Sequence, residues 1–151
     1  MSKTSQKTIK EKIDFRGVGL HNGVEVNLSI KPSKPDTGII FKRLDIKDEN
    51  IIHANFQNVV EPILCTKIRN KKGVSISTVE HLMAAFYGEG IDNAIVEVDG
   101  PEIPIMDGSA NAFVSLLEYA GTTEQPYKRK IIKVKKPIQV RDKNSSIRVE
   151  P

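Results

Sequence analysis

Cysteine and histidine are both scarce in this chain of 151 residues, at one and three positions. With Cys65 alone there is no internal disulfide, and a single thiol fits a reducing compartment. By itself Cys65 reads as a small buried residue with no metal-site signal. Long apolar runs are also missing, since nothing approaches the roughly 20 residues of a membrane span. The opening Met-Ser-Lys-Thr-Ser-Gln-Lys is not followed by the hydrophobic stretch of a signal peptide. A cytoplasmic location is therefore expected. Hydrophobic residues make up 38% of the chain, enough for one sizeable core, or one core and a fragment of a second.

Charge is unevenly spread. The formal net charge is +4. Residues 1–127 hold 14 Lys/Arg against 17 Asp/Glu, whereas residues 128–151 hold 9 against 2. A basic tail invites a nucleic-acid reading. This one has strand periodicity and lacks interleaved aromatics, so no nucleic-acid partner is expected.

The stretch Ser77–Gly90 organises the rest. Ser77 followed by Glu80 forms a capping box, and Gly88 and Gly90 are stop signals. A helix from about Val79 to Tyr87 follows. Val79, Leu82, Met83, Ala84, Ala85, Phe86 and Tyr87 leave it no polar face, so it should be buried between layers. Its only ionisable side chains, Glu80 and His81, lie side by side in the first turn. A carboxylate and an imidazole are costly to bury together unless partners or a metal compensate. The helix N-terminus favours an ionised carboxylate and a neutral imidazole, the forms a general base and a metal ligand require. Locally, the bland alternative is a cap residue beside a satisfied core histidine.

Before that helix, Thr8–Phe15 reads as a strand. Gly17–Gly23 is a glycine-punctuated loop presenting Leu20 and His21, with a spacing wrong for a phosphate-binding motif. Val24, Val26, Leu28 and Ile30 alternate as a second strand. Ile39–Phe41 begins another, and Ile51–Phe56 holds a short one in which His53 is an ordinary surface residue. Ile63–Ile68 reads as a strand, turned by Asn70–Gly73 into Val74–Ile76. After the helix, Ala94–Val98 alternates and Pro101–Met106 is extended. Asp107-Gly108-Ser109 turns into a second helix from about Ala110 to Ala120, with Phe113, Leu116, Leu117 and Ala120 inward. Asp107 is by default a turn residue. Gly121–Tyr127 reads as a linker, followed by a strand over Lys130–Val140 in two pieces around Pro137 and another at Ser146–Val149. The fold class is α+β: a two-layer domain with two helices on one face of a sheet. The division is residues 1–127 for that domain and 128–151 for the opening strands of an incomplete second one.

Gly17-Val18-Gly19-Leu20-His21, Leu64-Cys65-Thr66, Ser75–Leu82, Gly90-Ile91-Asp92-Asn93 and Glu102–Ser109 together resemble the zinc-dependent UDP-3-O-acyl-N-acetylglucosamine deacetylases of lipid A synthesis in Gram-negative bacteria. The resemblance spans essentially the whole chain. It implies two similar domains stacked with their helices between the sheets. It also implies hydrolysis of the 2-acetamido group to acetate and a free amine. His81 matches a zinc ligand and Glu80 the general base that activates water. Leu20, His21, Ile63 and Cys65 fall on segments lining the family's cleft, and Asp107 sits in a motif tied to activity. The family draws its other ligands, a His and an Asp, from the second domain, with an acid-role His, an oxyanion-stabilising Thr and the acyl-chain passage. This chain is then expected to be inactive alone, and to hold zinc weakly or not at all. The alternative is a non-catalytic binding or dimerisation module of the same fold.

Overall fold

The computed structural model describes residues 5–61 and 63–151. The first four residues, part of the N-terminus read above, and Pro62 lie outside the described residues. Along the chain run β1 (Ser5–Ile9), β2 (Ile13–Val18), β3 (Glu25–Pro32), β4 (Ile39–Arg43), β5 (Ile51–His53), β6 (Ile68–Arg69) and β7 (Ser75–Ile76). Then come α1 (Glu80–Glu89), β8 (Ala94–Val98), α2 (Asn111–Ala120), β9 (Thr122–Lys128), β10 (Ile138–Asp142) and β11 (Ser145–Val149).

The main sheet has the order β2-β3-β8-β4-β5, with β4 and β8 parallel and the other neighbours antiparallel. Period-two alternation puts one side chain of each pair inside. Register then aligns Ile13, Ile30, Val96, Phe41 and Ile52 in one row across all five strands, and every member of the row is buried. The opposite face is polar, where Glu97 pairs with Lys31 at 2.5 Å and Lys42 at 3.4 Å. Leu82, Ala85 and Phe86 of α1 and Phe113, Leu117 and Ala120 of α2 close the same core. Phe113 meets Phe15 edge-on at 5.9 Å between ring centroids. Each fully buried side chain of this size contributes roughly 1.5–3 kcal/mol. An α+β sheet with two helices is thus what the chain forms.

Several expected boundaries differ. The Thr8–Phe15 strand is two strands, because the amides of Lys10 and Glu11 turn to the carbonyls of Gly121 and Ala120. Gly121–Tyr127 is no linker. Most of it is β9, paired antiparallel with β1, and Gln125 is held inside by Asn93 and the Ser33 carbonyl. Of the expected Ile63–Ile68 strand only Ile68 lies in a ladder, as the first residue of β6. Glu61 and Leu64 sit at φ +42° and +58°, and Ile63 N donates to the Glu61 carbonyl, so residues 63–66 loop outward. The strand expected from Lys130 begins at Ile138, just past Pro137, since Arg129 first turns back to grip Asp92. β10 and β11 form a hairpin whose residues are all exposed.

Helix α1 is not buried all round. Tyr87 is 89% exposed and Ala84 also faces outward, because the sheet and α2 cover only one side of it. Nor does the capping box form. Val79 precedes α1 in helical conformation with no side-chain cap. The Ser77 hydroxyl donates instead to the Pro101 carbonyl, and Glu80 turns to the Thr66 amide. Partners supplied by the tertiary fold displace the local motif.

Candidate functional site

Four segments converge at the N-terminus of α1. The first is the 63–67 loop, where the Thr66 amide donates to Glu80 Oε2 at 3.0 Å and the Thr66 carbonyl accepts from the Val79 amide at 3.3 Å. This two-way exchange sets Cys65, half-buried, next to the first turn. Glu80 and His81 are themselves half-buried, so the expectation of a fully buried doublet is softened: both remain reachable from solvent. Beside Thr66 and Val79 an apolar groove runs past Phe56, Val59, Ile68 and Met83.

The second and third segments are the Gly19–Gly23 loop and residues 101–106. Ile105 N donates to the Val18 carbonyl and Ile103 N to the Ser77 carbonyl, so the extended stretch is stitched to β2 on one side and to the approach to α1 on the other. Between them lies Glu102, only 1% exposed. Its carboxylate accepts from the His21 amide at 3.1 and 3.2 Å, from the Asn22 amide at 3.1 Å, and from the Thr78 hydroxyl at 2.7 Å. Gly19 permits this approach, because a Cβ there would stand 2.6 Å from Glu102 Oε2. Thr78 takes a left-handed conformation at φ +57°, which turns the chain from β7 into α1.

The fourth segment opens α2. Asp107 Oδ1 accepts from the Ser109 amide and hydroxyl, both at 2.9 Å. These bonds hold its carboxyl below the ordinary aspartate range, and nearby His81 adds a smaller pull. Asp107 is therefore a turn residue, as its spacing alone indicates, and it also lies within electrostatic reach of His81.

Not every expected site residue is drawn in. The backbone of His21 is anchored, but its side chain is exposed, as are those of Leu20 and Ile63. His53 lies exposed on β5. Among the described residues no three His, Cys, Asp or Glu side chains gather as a metal cage. Glu102 carries no sign in the sequence of what it does, since a Glu one residue after a proline reads as surface.

A family model described as UDP-3-O-acyl N-acetylglycosamine deacetylase matches residues 6–151. A UDP-3-O-acyl-N-acetylglucosamine deacetylase of Histophilus somni (strain 129Pt) is 52% identical over 137 residues, covering 91% of this chain and 45% of the relative. Relatives of the same description from Shewanella sp. (strain W3-18-1) and Shewanella piezotolerans are 47% and 50% identical over 146 residues, covering 97% of this chain and 48% of theirs. The chain spans about half the length of the curated relatives it matches.

Proposed function

The chain belongs to the UDP-3-O-acyl N-acetylglycosamine deacetylase family, and from that premise we propose that it supplies the general-base half of a zinc-dependent amide hydrolase. The substrate is UDP-3-O-acyl-N-acetylglucosamine, whose 2-acetamido group is cleaved to acetate and amine in early lipid A synthesis in the cytoplasm of a Gram-negative bacterium. One observation carries the reading. A carboxylate and an imidazole occupy adjacent, half-buried positions in the first turn of α1, with the carboxylate oriented by a backbone amide.

Glu80 takes the proton of the attacking water. Its Oε2 is held by Thr66, which leaves Oε1 to receive that proton. His81 is the one zinc ligand on this chain, and Asp107 supports it electrostatically. Bound zinc would polarise the amide carbonyl and lower the pKa of water. The donor set fits that ion in kind but not in number, for a catalytic zinc takes about three protein ligands and no such trio gathers among the described residues. The remaining ligands then come from a C-terminal domain, of which residues 128–151 are the opening strands and residues 1–127 the completed counterpart. Leu20, His21, Ile63 and Cys65 line the cleft between the two.

The test is acetate release by this chain supplemented with the C-terminal half of a full-length relative. Activity is expected from the pair and none from this chain alone. Glu80→Gln should lower turnover of the pair by about 10²–10⁴-fold, the usual contribution of a general base. Turnover by the isolated chain, or full turnover by the variant, would contradict the reading. A second reading, a non-catalytic module that dimerises, is favoured by Tyr87 and Tyr119, 89% and 90% exposed on α1 and α2. Light scattering that finds a monomer at high concentration removes it.

A further inference from the structure

The mechanism above makes no use of the buried carboxylate of Glu102. A carboxylate at 1% exposure is retained only where hydrogen bonds replace water, and the partners of this one are unusual in kind. None is a charged side chain; they are the backbone of the His21 loop and the hydroxyl of the residue that turns the chain into α1. The two oxygens divide the work. Oε2 takes the Asn22 amide, Oε1 takes the Thr78 hydroxyl, and the His21 amide is shared between them. Thr78 lies two residues before Glu80, and His21 tips the opposite loop. Bonds to an ionised acceptor are the strong, short-range kind. They span 80, 81 and 24 residues of sequence, so no local structure duplicates them.

We propose that Glu102 is a positioning residue that locks the Leu20–His21 loop to the base-bearing turn, so that substrate cleft and Glu80 hold one spacing. This rests on the reading of Glu80 as the base. Only a residue with no Cβ fits at position 19 beneath the carboxylate, which makes the clasp a built feature of both loops. Two variants separate its arms. Glu102→Met keeps the length of the side chain but removes both acceptor oxygens, which frees the loop and the helix turn together. Thr78→Val keeps the shape of the side chain and frees the helix turn alone.

Amide hydrogen exchange on the 151-residue chain gives the first measurement. In Glu102→Met the Asn22 amide and the Thr66 amide, the latter bonded to Glu80, should both lose protection by at least about tenfold. In Thr78→Val the Thr66 amide alone should lose it. Kinetics on the chain paired with a relative's C-terminal half give the second. Glu102→Met should raise KM and lower kcat, each about tenfold, and Thr78→Val should lower kcat about tenfold with KM within twofold. Unchanged exchange at both amides, a uniform loss across the whole chain, or the same changes in kcat and KM from the two variants would overturn the assignment. If the unmodified pair releases no acetate, the functional reading fails, and the exchange pattern still decides whether Glu102 is the clasp.

Discussion

Removing the side chain of Asn93 should cost this fold far more than its small size suggests. Asn93 is 1% exposed and sits where α1 hands over to β8. Its Oδ1 accepts from the Gly38 amide at 2.8 Å, and its Nδ2 donates to Gln6 Oε1 at 2.8 Å and Gln125 Oε1 at 2.7 Å. It therefore joins β1, β9 and the β3–β4 connection in one polar knot. In Asn93→Ala, Gln6 Oε1 keeps the Asp36 amide as donor, but the Gly38 amide and Gln125 Oε1 lose their partners. The buried Gln125 acceptor costs about 1–3 kcal/mol when orphaned and the half-buried Gly38 amide less, so the loss is roughly 3 kcal/mol, a large share of the ~5–15 kcal/mol that holds a typical domain. Urea unfolding followed by circular dichroism measures it, and the thermal midpoint should fall by about 10 °C. The exposed pair Asn27–Asp99 is the control: Asp99→Ala should stay within about 0.5 kcal/mol. A loss below about 1 kcal/mol for Asn93→Ala would refute the view that this knot, rather than the apolar core alone, ties β1 and β9 to the sheet.

Further outcomes follow from the same geometry. Gly19→Ala drives a Cβ to within 2.6 Å of Glu102 Oε2 and 2.5 Å of Asn22 Oδ1, so denaturant unfolding should register a loss of about 1–3 kcal/mol. Phe41→Ala, in the five-strand row between Val96 and Ile52 and fully buried, should cost about 3–5 kcal/mol by the same measurement. Glu97 is held below the ordinary glutamate range by Lys31 first and Lys42 second. A depressed carboxylate adds stability above its unfolded pKa and gives it up as the pH falls through the folded value. Glu97→Gln should therefore lower stability at pH 7, by about 1 kcal/mol for this partly exposed pair, and flatten the decline in stability below about pH 4.5.

How far the sequence discloses this arrangement depends on what each element answers to. β3 and β8 alternate cleanly because one face of each lies on the core, so Val26, Leu28 and Ile30 announce the strand by themselves. The inward face of α2 is legible for the same reason at helical spacing. β9 is not legible: Thr-Thr-Glu-Gln-Pro-Tyr-Lys has no alternation, and it is a strand because β1 pairs with it and Asn93 captures Gln125. An apolar run such as Ile63-Leu64-Cys65 reads alike in a buried strand and in an outward loop. Only the positive φ at Leu64 separates the two. The capping signature at Ser77 and Glu80 is genuine chemistry drawn off by closer tertiary partners. At the site, Glu80 and His81 stand out because ionisable residues are conspicuous in an apolar helix. Glu102 escapes notice because its partners are backbone amides, which no sequence pattern displays.

The central claim is that this chain brings one metal ligand and the base, and that the rest of the coordination comes from elsewhere. Titrating zinc into the purified 151-residue chain, with the metal retained after dialysis counted per chain, tests it most directly. Retention well below one zinc per chain, unaltered by His81→Ala, is the expected result. One tightly held zinc per chain, lost in His81→Ala, would mean that the chain completes the site unaided, and would contradict the account.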